Sequence, residues 1–454
     1  MKLFSSFAAL LSLLVTVAVA VPTAINSRSL AAPYAGIKVL RVPTGPSETA
    51  LKQLESLIES LHLESWTTNP QTNSHVDLQV PADRVDEFIS SVEGILANSG
   101  AKMSGFGVEV MHEDLAASIE EETQGMFDTV RDEKGVFGLV TDAWFDAYHT
   151  YADHLTWIND FVSTYPNNSK VITSGTTVQG RTITGKCINI FGSAGSGARP
   201  AIIWHGTVHA REWIGTMVVE YLAYQLASGY ATSTTIKAFV DKYDFHIFPV
   251  VNPDGFAYTQ SSTRLWRKNR QTPPSGSSCY GRDINRNWAT SSWNQSAGAS
   301  TSPCAEDYKG LAAADAPETQ GLQAYINARA SSSAGAKMFV DWHSYSQLFM
   351  TPYGYTCSAT APDATELNSL AAGFATALRV PYGTRYTTGP ICTTIYQVSG
   401  GSTDYTYINS KVKYSFAAEL RDTGSSGFVL PAAQIRPSGA EVWAGVQYLL
   451  TNIV

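Results

Sequence analysis

Basic charge is scarce in this 454-residue sequence, and so are cysteines and long apolar runs. The chain carries 31 lysines and arginines against 39 acidic residues, a net charge of -8. No general basic surface is available to neutralise phosphates, so we do not expect nucleic acid as a partner. The remaining composition, 44% hydrophobic and 15% charged, is that of an ordinary globular protein. Because the length exceeds the usual size of one hydrophobic core, it predicts two folded units or one large unit with a processed region.

One apolar run stands out, at the N-terminus. It extends from Leu10 to Val19 and has small residues at Ala18 and Ala20. This pattern predicts a signal peptide over residues 1–20, removed after Ala20, and hence a secreted, extracellular protein. A membrane anchor is the alternative, but the run is short for a spanning helix and Pro22 follows at once. No later segment of the sequence could span a bilayer, so no membrane partner is expected after removal.

Export would permit disulfides, and the five cysteines then leave one odd thiol after two bridges. Two glycosylation sequons gain meaning in a secreted chain, and they begin at Asn167 and Asn294.

Residues 37–110 have the pattern of a compact α+β unit. A strand from Ile37 to Val42 is followed by a helix with one apolar face and with Ser47 as its cap. An alternating strand precedes a second helix that begins at Pro81 and stops at Gly100, and a last strand lies near Val108 to Met111. The two helix faces consist of Leu51, Leu54, Ile58 and Leu61, and of Val85, Phe88, Val92 and Leu96.

The stretch from Glu113 to Glu133 is acidic and has little to bury. It is typical of a connector that a protease could cut, with Arg131 and Lys134 as candidate positions.

Four short, nearly continuous apolar runs follow an amphipathic segment at Tyr148 to Tyr165. Such runs are typical of strands buried on both faces, in a sheet covered by helices. Open α/β sheets bind ligands at the carboxyl ends of their strands, so functional residues are expected just after the runs. The runs are Ala201 to Trp204, Phe245 to Val251, Met338 to Trp342 and Tyr414 to Ala418.

Candidate metal ligands follow two of these runs. His209 and Glu212 lie three residues apart after the first run, and His343 follows the third. Two imidazoles and one carboxylate, with a position left for water, form a common catalytic zinc site. The H-x-x-E spacing alone is weak evidence, since a loop histidine in ordinary hydrogen bonds would look the same.

Seven motifs make the interpretation specific. They occur in the order and approximate spacing of the zinc metallocarboxypeptidases of the pancreatic carboxypeptidase A/B family, which the chain resembles from about Tyr148 to Leu450. The stretch from Gly36 to His112 also resembles that family's inhibitory propeptide. The motifs are HAREW, NPDG, RLWRKNR, DINRNW, HSYSQLFMTPYGY, TTIYQVSGGSTDY and FAAELRDTG.

This resemblance implies a fold and a division of the chain. The fold class is α/β, a mixed and mostly parallel sheet with helices on both faces, preceded by a small α+β ferredoxin-like propeptide domain. The division is a signal peptide at 1–20, an activation propeptide with its connector at 21–134, and a zinc carboxypeptidase domain at 135–454. The implied partners of the monomer are peptide and protein C-termini and an activating protease.

The resemblance also implies a metal site. His209, Glu212 and His343 would bind one Zn²⁺ ion per chain, and Asp283 would orient His209 from behind.

Two further residues carry the implied reaction. Glu419 matches the general base that takes a proton from water and later returns it, and Arg267 matches the cation that stabilises the oxyanion. The plainer alternatives are an ion pair of Glu419 with Arg421, and a solvated charged surface around Lys268 and Arg270.

A carboxylate clamp would make the enzyme an exopeptidase. Asn285 and Arg286 match the pair that binds the free C-terminal carboxylate, and Tyr396 matches the tyrosine that closes over it. Tyr345 is likewise expected to contact substrate.

The side-chain pocket implied by the resemblance carries no charge. Basic-specific members of the family have an acid at the position of Thr403 and aromatic-specific members an aliphatic residue, so Thr departs from both; the neighbouring Asp404 also occurs in the apolar-specific branch. We therefore expect neutral aromatic or aliphatic C-termini. The pocket residues are Met350, Gly354, Ile391, Ile395, Thr403 and Ala417.

The cysteines are assigned by the same resemblance. Cys279 and Cys304 match a disulfide of the family, and Cys357 and Cys392, which lie in adjoining pocket loops, are expected to form the second pair. Cys187 would remain free and buried.

Rival interpretations have less support. His205 is favoured as a structural histidine, and the HExxH pattern beginning at His112 fails because Ala116 holds the second histidine position. A non-catalytic binding relative would have lost the base or the clamp, which this chain keeps. A serine hydrolase is not favoured, because no G-x-S-x-G motif precedes a predicted helix.

Overall fold

The structure is a computed structural model that describes residues 27–99, 107–127, 140–188 and 199–454. The predicted signal peptide, the two candidate cleavage positions and the side chain of Cys187 lie outside this part of the chain.

The N-terminal unit is a four-stranded antiparallel sheet with two long helices, preceded by one short helix. Its strand order is β2-β3-β1-β4, and its β-α-β-β-α-β sequence is the predicted ferredoxin-like arrangement. Ser47 caps the first long helix as expected, because its side chain accepts a hydrogen bond from the Ala50 amide at 3.2 Å. The elements are α1 (Ser27–Ala31), β1 (Ile37–Pro43), α2 (Glu48–Ser60), β2 (Glu64–Ser65), β3 (His75–Pro81), α3 (Val85–Asn98) and β4 (Glu109–His112), with 3₁₀ turns at Ala32–Tyr34 and Ala82–Arg84.

The acidic stretch after β4 is not the bare connector that its composition predicts. Asp114 accepts hydrogen bonds from two amides and caps helix α4 (Leu115–Glu122). Leu115, Ile119 and Glu122 are fully buried, and the two apolar residues join the main core of the molecule. The prediction of little to bury is therefore wrong as far as residue 127, because the acidic residues hide an apolar helix face.

The larger unit contains an eight-stranded mixed sheet in the order β11-β10-β12-β9-β7-β8-β6-β5. Its elements begin with a 3₁₀ turn at Asp142–Asp146 and continue with α5 (Tyr151–Thr164), β5 (Lys170–Thr176), β6 (Thr182–Ile188), β7 (Ala201–Gly206), α6 (Trp213–Gly229), α7 (Thr234–Lys242), β8 (Asp244–Phe248), α8 (Pro253–Thr259), a 3₁₀ turn at Ile284–Arg286 and α9 (Pro317–Ala330). They end with β9 (Ala336–Ser344), β10 (Leu348–Thr351), α10 (Ala364–Tyr382), β11 (Thr387–Pro390), α11 (Ile391–Thr394), α12 (Ser402–Ile408), β12 (Tyr414–Leu420), a 3₁₀ turn at Ala432–Gln434 and α13 (Ile435–Asn452).

The four predicted apolar runs form the centre of this sheet. They are β12, β9, β7 and β8, and each is parallel to its neighbour. Alternate residues of β7 enter different cores: Trp204 belongs to the same buried cluster as Met217 of α6, whereas Ile203 belongs to the cluster that contains Leu322 of α9. Helices therefore cover both faces, and the predicted fold class is confirmed.

Within the described residues, no helix is both long enough and apolar enough to cross a membrane.

Candidate active site

Three candidate metal ligands meet where two parallel central strands end. His209 and Glu212 lie in the loop between β7 and α6, and His343 is next to the last residue of β9. Because β7 and β9 are neighbours, their carboxyl ends bring these side chains together. The His209 Nδ1 atom lies 2.7 Å from Glu212 Oε1, and His343 Nδ1 lies 3.1 Å from Glu212 Oε2.

The cluster is suited to a metal ion. The three side chains are buried, and their ligand atoms all lie within 4.8 Å of one another. The Nδ1 atoms of His209 and His343 face each other at 3.1 Å. At this distance two N–H groups would repel each other, so the two atoms cannot both carry a proton unless a third group lies between them. Two imidazole nitrogens and a carboxylate oxygen are the donor set of many catalytic zinc sites. Burial opposes ionisation of Glu212, but the two imidazoles outweigh it and hold the pKa of this carboxyl below its usual range.

A buried carboxylate lies behind the first histidine, as predicted. Asp283 Oδ1 is 3.1 Å from His209 Nε2, and its other oxygen accepts a hydrogen bond from Arg267 Nη2 at 2.8 Å. Burial alone would raise the pKa of Asp283, but the charges of Arg267 and His209 hold it well below the usual range. The residue is therefore an anion that can fix the ring orientation of His209.

Glu419 faces the same cluster from the neighbouring strand. It lies at the end of β12 and pairs in register with His343. The residue is half-buried and borders the cleft. Burial of its carboxyl raises its pKa to about 8, with His343 opposing the shift and Glu212 adding to it. The alternative ion pair with Arg421 is not found, because Arg421 donates instead to Glu441 at 2.8 Å.

The basic segment that contains Arg267 is buried rather than solvated. Arg267 is 4% exposed, and its Nη1 lies 3.8 Å from Glu212 Oε1. Lys268 is 3% exposed and donates to the carbonyl oxygens of Pro303 and Ala305. The expectation of a solvated face is therefore wrong for Lys268, because backbone carbonyls replace water around its ammonium group. The Arg270 guanidinium is half-buried and stacks within 3.6 Å of the Tyr258 ring centre.

The predicted clamp residues lie next to the cluster, with Asn285 Nδ2 at 3.3 Å from His343 Nε2. Asn285 and Arg286 form the 3₁₀ turn that follows Asp283, and Asn285 Oδ1 accepts the Ser402 amide at 2.8 Å. Arg286 is 2% exposed, and its Cζ atom lies 5.9 Å from the centre of the Tyr396 ring. A guanidinium and an aromatic hydroxyl therefore border the same space.

All six predicted pocket residues line the cleft next to the clamp. Met350, Ile391 and Ala417 share a small apolar cluster with Val398 and Leu348, two residues that the sequence interpretation missed. Their signal in the sequence is only an apolar side chain near a motif. Asp404 also borders the cleft, but its carboxylate accepts the amides of Gly354 and Tyr355 at 2.8 to 3.1 Å.

The N-terminal unit closes over this cleft. Residues 66–71, 74, 75 and 77 contribute to its lining. Arg211 donates to the Trp66 carbonyl at 3.2 Å, and Tyr345 donates to Asp77. The Trp66 ring packs 5.5 Å from that of Phe428. Tyr345, the predicted substrate contact, is therefore engaged by the N-terminal unit.

Helix α4 adds an ion pair that the sequence did not reveal. Glu122 accepts hydrogen bonds from Arg264 Nε at 2.7 Å and Nη2 at 2.6 Å, and both side chains are fully buried. Arg264 also donates to the carbonyls of Arg211 and Phe428 and stacks on Trp213. One buried guanidinium thus connects α4 with two cleft-forming segments.

The remaining assignments are placed as follows. The structure contains the Cys279–Cys304 and Cys357–Cys392 disulfides. Asn167 and Asn294 are exposed. His205 is fully buried between Phe248 and Phe339, and burial lowers its pKa to about 4. It lies apart from the metal cluster.

Comparison with known proteins gives consistent matches. A family model described as zinc carboxypeptidase matches residues 154–445. A metallocarboxypeptidase A-like protein of Trichophyton verrucosum is 45% identical over 426 residues, which cover 94% of this chain and 95% of the relative. Carboxypeptidase A2 of Mus musculus is 35% identical and covers 92% and 94%. The crystal structure of thrombin activatable fibrinolysis inhibitor (TAFI) matches with a TM-score of 0.80 and 26% identity, over 92% of this chain and 98% of that one.

Proposed function

The chain belongs to the zinc carboxypeptidase family, and we propose that it releases neutral aromatic or aliphatic residues from the C-termini of peptides and proteins. One observation carries this proposal: a buried His-Glu-His cluster with Glu419 and Arg267 on either side, at the strand ends that border an apolar pocket.

We assign the metal site to His209, Glu212 and His343, which would hold one Zn²⁺ ion per chain. When bound, the ion would supply Lewis acidity to water and to the scissile carbonyl. Asp283 would keep the Nε2 proton of His209 and leave its Nδ1 lone pair for the metal.

The protein's own acid-base group would be Glu419. Its carboxylate lies opposite His343, where it could take a proton from the attacking water and later give it to the departing amine. Arg267 would stabilise the negative charge that develops on the carbonyl oxygen. Because Asp283 holds this guanidinium in place at 2.8 Å, little reorganisation would be needed during reaction.

The clamp would restrict cleavage to the last residue. Arg286 offers a planar pair of donors to a carboxylate, Asn285 an amide and Tyr396 a hydroxyl. Tyr345 would contact the substrate chain once the N-terminal unit has left. An internal peptide bond has no carboxylate for this site, so endopeptidase activity is not expected.

The pocket supports the choice of neutral side chains. Met350, Ile391, Ile395 and Ala417 give it an apolar wall, Thr403 adds a neutral hydroxyl, and the Asp404 carboxylate that borders it is occupied by two backbone amides. A cationic side chain would therefore find no free counter-charge in the pocket and would lose its hydration.

We further propose that the protein is secreted as an inactive precursor. Residues 21–134 would form the propeptide and connector, and residues 135–454 the enzyme, with an unidentified protease cutting between them. The position of residues 66–77 in the cleft supports this division. Two disulfides and two exposed sequon asparagines support an extracellular, glycosylated protein.

The experiment compares hydrolysis of two peptides that differ only in a C-terminal Phe or Arg. Protease-trimmed protein should release single Phe residues much faster than Arg. A zinc chelator should abolish release, and added zinc should restore it. Glu419→Gln should retain stoichiometric zinc and lose about 100-fold to 10,000-fold in kcat. The uncut chain should be far less active than the trimmed one.

Each part can fail separately. Faster release of Arg would overturn the pocket assignment, and full activity of the uncut chain would overturn the precursor. Stoichiometric zinc with no release of any residue would point to a binding protein instead.

A further inference from the structure

Asp341 lies one layer below the metal cluster. It precedes His343 by two residues on β9, so both side chains project from the same face of the sheet. Its neighbours in register are His205 of β7 and Ala417 of β12, and its side chain is 0% exposed. A carboxylate at this depth in an otherwise apolar strand needs partners, because an unpaired buried charge is strongly unfavourable.

Two polar groups meet the Asp341 carboxylate. Its Oδ2 atom lies 3.1 Å from His343 Nε2 and accepts the Ser402 hydroxyl at 2.5 Å. Its other oxygen has no hydrogen-bond partner within the part of the chain that the structure describes. The acid therefore directs its bonding oxygen towards the histidine.

The two histidines of the cluster are held in parallel ways. Each turns Nδ1 towards the cluster centre and Nε2 towards a buried carboxylate: Asp283 for His209 and Asp341 for His343, both at 3.1 Å. His343 Nε2 also has the Asn285 side-chain nitrogen at 3.3 Å, farther away than the carboxylate. A carboxylate that accepts the Nε2 proton fixes the neutral tautomer whose lone pair is on Nδ1. A metal needs that lone pair.

We propose that Asp341 is a positioning residue that fixes the ring and tautomer of His343 for metal binding, and that Ser402 holds Asp341 in turn. This inference rests on the proposed metal site. Ser402 is the first residue of α12, and its amide is bound by Asn285. A continuous series of polar contacts therefore joins Asn285 and α12 to His343 through Ser402 and Asp341. A movement of α12 would consequently shift the His343 ring.

The test measures zinc affinity by competition with a chromogenic chelator, using full-length protein. Asp341→Asn keeps the shape but removes the anion, and we expect about 10-fold to 100-fold weaker zinc binding. Glu220→Gln is the matched control. It removes an equally buried carboxylate that lies 2.9 Å from a histidine, His154, away from the cluster. The control should lose stability but keep the zinc affinity of the unaltered protein.

Zinc affinity equal to that of the unaltered protein in folded Asp341→Asn would overturn the inference, and so would an equal loss in Glu220→Gln. If Asp341→Asn does not fold, Ser402→Ala decides: weaker zinc binding supports the inference, and unchanged binding overturns it. Failure of the unaltered protein to bind one zinc ion would instead refute the proposed metal site.

Discussion

Asp404 shows how one buried carboxyl can make stability depend on pH. Burial raises its pKa from 3.8 to about 6, even though backbone amides of Gly354 and Tyr355 oppose the shift. Between these two values the unfolded chain binds fewer protons than the folded one. The free energy of unfolding should therefore fall as pH rises through this window, by about 3 kcal/mol at most.

Asp404→Asn removes this titration and tests the argument. Relative to the unaltered protein, the variant should become progressively more stable as pH rises from about 4 to about 6. Urea unfolding of both proteins at several pH values measures the difference, in which all shared titrations cancel. A difference that stays constant across the window would show that Asp404 does not titrate as its burial implies.

At the residue scale, sequence reasoning is most informative where long motifs carry several polar residues together. The structure brings His209, Glu212 and His343 together, as expected for residues that follow two buried strands ending at one sheet edge. Asp341 was missed, although the two-residue period of a strand puts it on the face of His343. Its partner Ser402 is 61 residues away, and nothing local signals that contact.

Helix α4 makes a prediction at the scale of elements. In the full-length chain, Glu122→Gln leaves the Arg264 guanidinium buried without its anion, which costs about 3–5 kcal/mol. Because this ion pair holds α4, which directly follows the N-terminal unit, against the cleft, we expect the N-terminal unit to detach more readily. Peptide hydrolysis by the uncut variant should rise well above that of the uncut parent.

Glu113→Gln is the control for this helix variant. Its carboxylate pairs with Lys38 at the surface and is 74% exposed, so its loss should change little. Equal activity of both uncut variants would show that the buried pair does not hold the N-terminal unit over the cleft.

The Cys279–Cys304 disulfide closes a loop that contains Asp283, Asn285 and Arg286. Replacing both cysteines by serine should lower the free energy of unfolding by about 3–4 kcal/mol, as chain entropy predicts for a loop of this length. The KM for a Phe-ending peptide should rise more than kcat falls, because the clamp residues lose their anchor. Guanidinium unfolding and steady-state kinetics on zinc-loaded, trimmed protein provide both values. An unchanged KM would show that the loop keeps its geometry without the bridge.

Elements were predictable where a single periodicity dominated. The four central strands read as continuous apolar runs because they are covered on both faces. The apolar face of α4 was masked by Glu120, Glu121 and Glu122, which gave the segment the composition of a solvated connector. The partner of Glu122 lies 142 residues away, so its burial could not be read locally.

At the scale of the molecule, metal removal should weaken the whole fold of the trimmed enzyme. The cluster joins β7 and β9 in the middle of the sheet, so a ligand bound there adds to global stability. Free zinc at 100 times its dissociation constant would contribute about 2.7 kcal/mol, which chelation removes. Thermal unfolding with and without chelator should show a lower midpoint for the apo protein. Identical midpoints at saturating zinc would contradict a site within the folded core.

The overall architecture was more predictable than the relation between its two units. The apolar runs predicted buried parallel strands covered by helices, whereas the order of the strands comes only from the structure, and the Trp66 and Asp77 contacts to the cleft join segments far apart in sequence. Surface complementarity of that kind produces no periodic pattern in the amino-acid sequence.

The buried pair of Glu122 and Arg264 also affects what a single cut in the chain can achieve. A cut within residues 128–139, as proposed above, would sever the covalent link, but the contacts between Glu122 and Arg264 would still hold α4 against the larger unit. The two pieces would then have to dissociate, so activity should appear with a lag after proteolysis. Rebinding of the N-terminal piece should depend on protein concentration, by mass action. Dilution would release the active enzyme, whereas a concentrated solution would remain inactive even after every chain had been cut.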